Sequence, residues 1–334
     1  MMRYLPVLLL SACTLGDTDA VAADSAVVLM YHRFGDARFP ATNIRVSQLR
    51  DHLDYLQSND YSVIPLEQLL ASLEGNAALP EKAVVITIDD AFRSVYDTGH
   101  PILAEYGVPY TLFVSTDALD QRLSDYMSWA QLQDLAGQGV SIANHGASHD
   151  SLLTNDRAKA DVQKAEERLR AHVEILDGVF AYPYGEYDLA DTKMLQSLGY
   201  EYAFGQHSGP VGRGSNRYAL PRFPMNETYG SMDDFGIKVS SRPLPVASVT
   251  PPDPTVAEPA PSIEVRLETV LPNVNISCFV GGQGAVPVDW QTPGTEFRVA
   301  PTKSLSPGRN RVNCTAPVGD GTWYWFSHPW FVSP

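Results

Sequence analysis

The chain has 334 residues, 44% hydrophobic and 19% charged, a composition that excludes a disordered polymer and leaves room for more than one domain. Its formal net charge of −15 excludes nucleic acid or another polyanion as a partner, because the sequence offers no local basic patch. A neutral or cationic partner fits that charge.

Residues 1–24 read as an export segment. Arg3 gives a short positive start, and Tyr4 to Leu10 is an apolar run too short to span a bilayer. Leu10-Ser11-Ala12-Cys13 has the form of a lipobox, in which Cys13 becomes the lipidated first residue and the chain's one attachment to a membrane. Ala20-Val21-Ala22 offers a rival cut that would release a secreted protein. The protein is expected in the periplasm or on the outer membrane as a lipoprotein, and otherwise secreted. Cys278 and Cys314 then sit in an oxidising compartment and are expected to form a disulfide, with two buried thiols as the alternative.

Residues 25–239 alternate strand and helix patterns. Ala26–Met30 is a short buried-strand run, Val46–Ser58 and Pro65–Leu73 have helical spacing, and Ala83–Ile88 is a continuous β-branched run. Helix Val95–Tyr106 and strand Tyr110–Ser115 follow. Ser128 can cap a helix running to Ala136, and Thr154 or Asn155 a longer one running to Leu176. Such alternation predicts parallel βαβ units with functional groups at the carboxyl ends of the strands. Residues 240–261 carry seven prolines (243, 245, 251, 252, 254, 259 and 261) and read as a Pro-rich linker. Residues 262–334 hold short alternating runs (Ile263–Leu267, Val274–Val280, Phe297–Val299, Arg311–Thr315, Trp323–Ser327), the pattern of a small all-β sandwich. In the last run Trp323, Trp325 and Ser327 share one face and Tyr324, Phe326 and His328 the other. One face packs in the sandwich; the other either offers a stacking platform for a glycan or is buried against the first domain.

Two segments carry chemistry. The run Val85-Ile86-Thr87-Ile88 ends in adjacent carboxylates, Asp89 and Asp90. A second short apolar run, Val140 and Ile142, ends in His145, with His149 four positions on. One carboxylate and two imidazoles make a minimal site for a divalent metal with open positions, and the other carboxylate remains to act as a base. The same ligand set serves non-haem iron oxygenases, but a separate base favours hydrolysis.

Thr87-Ile88-Asp89-Asp90, His145-Gly146-Ala147-Ser148-His149 and Ala181-Tyr182-Pro183-Tyr184-Gly185 together resemble the three motifs of the polysaccharide deacetylases of carbohydrate esterase family 4. The resemblance covers roughly residues 26–237. It implies a distorted (β/α) barrel, with Asp90, His145 and His149 holding Zn2+ or another divalent transition metal, Asp89 as general base, and the Tyr184 N–H at the oxyanion. These enzymes remove acetyl groups from N-acetylglucosamine polymers. Most of them take their acid from a late Leu-x-His motif, which is missing; Leu29-Met30-Tyr31-His32 instead resembles the circularly permuted branch acting on poly-β-1,6-N-acetylglucosamine, making His32 the acid and His207 the alternative. The motif-three arginine is also missing, and Arg222 in Leu220-Pro221-Arg222 could replace it. Ala91 stands where the family has glycine, and Gly146 where it has a hydroxyl residue. Tyr31, Trp129 and Tyr182 are expected to line the sugar cleft. Peptidoglycan and chitooligosaccharides are the rival substrates, and a catalytically weak glycan-binding lipoprotein is the non-enzymatic rival.

Overall fold

The computed structural model describes residues 23–271, 275–319 and 321–333. Cys13 and the rest of the expected export signal before residue 23 lie outside them.

The two longest strands of the first domain, Ser25–Tyr31 and Ala83–Asp89, are buried along nearly their whole length. Side chains that are apolar on both faces suit a parallel sheet covered by helices on each side. These strands pair in parallel, and the sheet continues through Thr111–Val114, Ser141–Asn144, Val179–Ala181 and Tyr202–Phe204. Strand Pro210–Gly212 closes the other edge by antiparallel pairing to Ser25–Tyr31. The result is a curled half-barrel with helices outside, as the alternation predicts. Register brings the carboxyl ends together: Tyr31 pairs with Ile88, Asp89 with Phe113, and Val114 with Asn144. His32, Asp90 and His145 therefore start three loops on one rim.

The helices differ from expectation in detail. Ser128 caps Trp129–Gly137, its hydroxyl accepting from the Gln131 N–H at 3.3 Å. The long helix runs only from Ala158 to His172, because Asn155 turns its amide oxygen to the Arg157 N–H instead of capping a helix at 155. The expected helix Val95–Tyr106 begins as a wide turn at Val95–Gly99 and becomes regular only over His100–Glu105.

Residues 240–261 carry three strands. Arg242–Pro243 and Thr255–Val256 pair with strand Thr322–Val332, and Val246–Thr250 pairs with Ile263–Leu267. The prolines fall at strand ends and in the turns between them, where a missing N–H is tolerated. The all-β unit consists of a six-stranded and a four-stranded sheet packed over Ile263, Val265, Phe297, Val299, Val312 and Trp330. Cys278 and Cys314 are cross-strand partners joined by a disulfide.

The aromatic strand resolves the two alternatives for its faces. Tyr324, Phe326 and Trp330 pack into the sandwich, while Trp325 meets Phe223 edge-on at 5.0 Å and Phe331 meets Tyr187 at 5.8 Å. Both faces are used in packing, the second against the half-barrel. Ser208 Oγ adds a hydrogen bond to Asn313 Oδ1 across the same junction.

Candidate active site

Strand Ala83–Asp89 ends where the backbone turns left-handed, with φ of 77° at Asp90 and 56° at Ala91. Glycine adopts that conformation freely; alanine at position 91 holds it at some cost. The turn leaves Asp89 in the sheet and carries Asp90 toward two imidazoles. His145 donates from Nδ1 to the Ala181 carbonyl at 2.7 Å, which leaves its Nε2 lone pair 3.3 Å from Asp90 Oδ1. His149 Nε2 approaches the same oxygen at 3.0 Å without hydrogen-bond alignment. The three ligand atoms lie within 4.8 Å of one another.

The donor chemistry fits a cation. Asp90 Oδ1 and His145 Nε2 are buried and have no hydrogen-bond partner among the described residues. Two buried acceptors facing each other are costly unless something positive lies between them. A divalent metal bound by one carboxylate and two imidazoles satisfies both.

The loop carrying the imidazoles is shaped by a residue that no local motif announces. Asp161 accepts from the Ala147 and Ser148 N–H groups at 2.8 and 3.0 Å, and Asn144 Oδ1 from the Gly146 N–H at 2.8 Å. Gly146 has φ 77°, and a Cβ there would meet Asp161 Oδ2 at 3.0 Å. Asp161, from helix Ala158–His172, thus braces the loop in which Gly146 stands.

Asp89 is fully buried against Arg222, which is equally buried. The guanidinium donates Nη1 to Oδ1 at 2.7 Å and Nη2 to Oδ2 at 2.8 Å, and also reaches Thr87 Oγ1 and the Gly205 carbonyl. Burial alone would raise the Asp89 pKa; Arg222, with His145 and His32, outweighs it and holds the carboxyl below its usual range. His32 Nε2 stands 3.9 Å from Asp89 Oδ2. Burial lowers its pKa, and the carboxylates of Asp90 and Asp89 offset this only in part. His207 lines the same cleft on the side of the all-β unit, near His328, and burial pushes it down to about 3.

Tyr184 sits beyond strand Val179–Ala181 in the left-handed region, with φ 59°, and its ring meets His149 edge-on at 4.6 Å. The Tyr184 N–H has no backbone acceptor among the described residues. A cleft of about 540 Å³ opens over His32, Asp90, His149 and Tyr184, and its far wall includes Arg309 and Arg311 from the all-β unit.

Three expected cleft residues are elsewhere. Tyr31, the last residue of its strand, points opposite to His32, stacks on Phe34 and hydrogen-bonds His52 Nδ1 at 2.9 Å inside the core. Tyr182 is buried against Tyr187 with its hydroxyl on the Tyr218 carbonyl. Trp129 opens a helix on the outer surface, where it stacks on His172 at 4.0 Å and donates to Asp120. Packing claims all three.

A family profile described as polysaccharide deacetylase matches residues 76–203, a span that holds Asp89, Asp90, His145, His149 and Tyr184 and leaves out His32 and Arg222. The poly-β-1,6-N-acetyl-D-glucosamine N-deacetylase of Escherichia coli (strain K12) is 29% identical over 230 residues, covering 56% of this chain. The match takes in only 34% of that protein's length. The enzyme of the same name from Staphylococcus aureus (strain MRSA252) is 24% identical over 232 residues, covering 61% of this chain and 80% of its own. Among solved structures, IcaB from Ammonifex degensii superposes with a TM-score of 0.56 at 22% identity, over 64% of this chain and 95% of that one, a likeness of fold.

Proposed function

We propose that this chain, which carries a polysaccharide deacetylase domain, is a metal-dependent hydrolase that removes acetyl groups from N-acetylglucosamine units of a poly-β-1,6-linked glycan. The observation that carries the reading is the Asp90–His145–His149 cluster, its first two members buried and His149 half-buried, beside the Asp89–Arg222 pair on one rim of the sheet. Asp90, His145 and His149 would hold the metal, and two imidazoles with one carboxylate suit zinc. When bound, such an ion polarises the acetamide carbonyl and acidifies water.

The chain's own groups supply the proton transfers. Asp89, kept ionised by Arg222, accepts a proton at a carboxylate oxygen as water adds to the acetamide carbon. The Tyr184 N–H donates to the oxygen that gains negative charge. His32 in its protonated form donates to the leaving nitrogen as the C–N bond breaks, giving acetate and a free amine. Its lowered pKa makes that cation a strong donor. The presence of every one of these groups supports catalysis over glycan binding alone. An export signal in residues 1–24, with Cys13 as the site of lipid attachment, would put the enzyme outside the cytoplasm, where such polymers lie. Zinc-loaded full chain should release acetate from β-1,6-linked N-acetylglucosamine oligomers faster than from chitooligosaccharides or peptidoglycan. A preference for either rival would overturn the substrate assignment, and no release from any would overturn the reaction.

A further inference from the structure

Among the residues of the all-β unit that line the cleft, Arg309 is hydrogen-bonded to the Tyr184 loop. Arg309, near the start of strand Gly308–Gly319, donates from Nη1 to the Tyr184 carbonyl at 2.8 Å. The same nitrogen reaches Gln206 Oε1 at 3.2 Å, Nε lies 3.7 Å from Glu186 Oε1, and the guanidinium carbon is 5.7 Å from the centre of the Tyr184 ring. Glu186 is itself held by the Ser151 hydroxyl.

The residue so gripped is a strained one. Tyr184 and Gly185 are both left-handed, with φ of 59° and 69°. A non-glycine residue is held there only if its surroundings fix it. Within the loop, the Gly185 N–H bonds the Tyr182 carbonyl at 2.8 Å and the Glu186 N–H the Pro183 carbonyl at 3.2 Å. Gly185 has no freedom toward the barrel, since a Cβ there would stand 2.5 Å from the Gln206 nitrogen. Among the described residues the Tyr184 carbonyl is tied only from outside the loop, by Arg309.

We infer that Arg309 is a positioning residue: it clamps the Tyr184–Gly185 peptide so that the Tyr184 N–H stays aimed into the cleft, which makes the all-β unit part of the active site. This rests on the deacetylase reading above for the role of that N–H. The effect expected is moderate, because half of the Arg309 side chain is open to water, where a charged hydrogen bond is weakened.

The test uses the full chain, loaded with zinc, as wild type, Arg309→Ala and Arg309→Lys. In Arg309→Ala, kcat for acetate release should fall roughly 10-fold with KM within about 2-fold, the pattern of a donor that acts only in the transition state. Arg309→Lys should recover part of the loss. Bound zinc should be unchanged, and amide hydrogen exchange across residues 183–187 should speed up in Arg309→Ala. A kcat within 2-fold of wild type, a rise in KM alone, or loss of zinc would overturn the clamp. Wild type that releases no acetate while Arg309→Ala still speeds exchange would instead overturn the deacetylase reading and leave the clamp standing.

Discussion

Replacing Arg222 with methionine keeps most of the side-chain volume and removes the cation that faces Asp89. The arginine donates two hydrogen bonds to the carboxylate, at 2.7 and 2.8 Å, and both side chains are inaccessible to water. Breaking one partner out of a buried pair typically costs about 3–5 kcal/mol, because the remaining charge is left without compensation. For a domain of this size, that corresponds to a fall in Tm of roughly 10 °C. Asp89 has a second route: it can take up a proton. In wild type its folded pKa lies below the unfolded one, so its contribution to stability is present above the ordinary carboxylate range and lost as pH falls through the folded value. Without Arg222, burial is the largest remaining influence and acts upward. The acidic limb of kcat/KM should then shift to higher pH, since a protonated Asp89 cannot accept the proton from water. Arg222→Lys should fall between, restoring charge but not the paired geometry. Thermal melts and pH–rate profiles of the three proteins measure both effects. An Arg222→Met protein that melts within a degree of wild type and keeps its acidic limb would refute the argument.

Asp89→Asn should retain metal and lose roughly 10²–10⁴-fold in turnover, the usual loss with a general base; near-full activity would assign the base elsewhere. His32→Ala should abolish the alkaline limb of the rate profile while His207→Ala leaves it in place, and the reverse would exchange their roles. Burial pushes His52 and His328 down to about 4, so both are neutral in the folded protein at pH values where the unfolded chain protonates them. Stability should therefore fall as pH drops from about 6.5 toward 4, by up to roughly 3 kcal/mol for each group. Denaturant melts showing flat stability between pH 6.5 and 5 would contradict this.

The parts of the site legible in the sequence are those carried by local pattern. An unbroken β-branched run ending in Asp89-Asp90 announces a buried parallel strand with acids at its carboxyl end. The four-residue spacing of His145 and His149 after a second such run announces their shared loop. Arg222 was legible only because the usual arginine is missing and a late Leu-Pro-Arg stretch could supply one. Asp161, Gln206 and Arg309 were not legible, because each reaches the site from a distant element chosen by tertiary packing. Tyr31 and Tyr182 misled for related reasons: alternation sends Tyr31 to the face opposite its neighbour His32, and Tyr184 is turned away from Tyr182 by a left-handed backbone, φ 59°, that the sequence does not announce. The seven prolines of residues 240–261 read as a Pro-rich linker, yet proline forbids only central ladder positions, and the segment carries three short strands paired to both sheets.

The central claim is that Asp90, His145 and His149 form one metal site that the reaction needs. Elemental analysis of the purified full chain, paired with acetate release from β-1,6-linked oligomers before and after chelation, tests it most directly. The account predicts about one divalent ion per chain in wild type and in Asp89→Asn, little in His145→Ala, and activity that disappears on chelation and returns with zinc. Stoichiometric metal in His145→Ala, or full activity in the stripped wild-type protein, would contradict it.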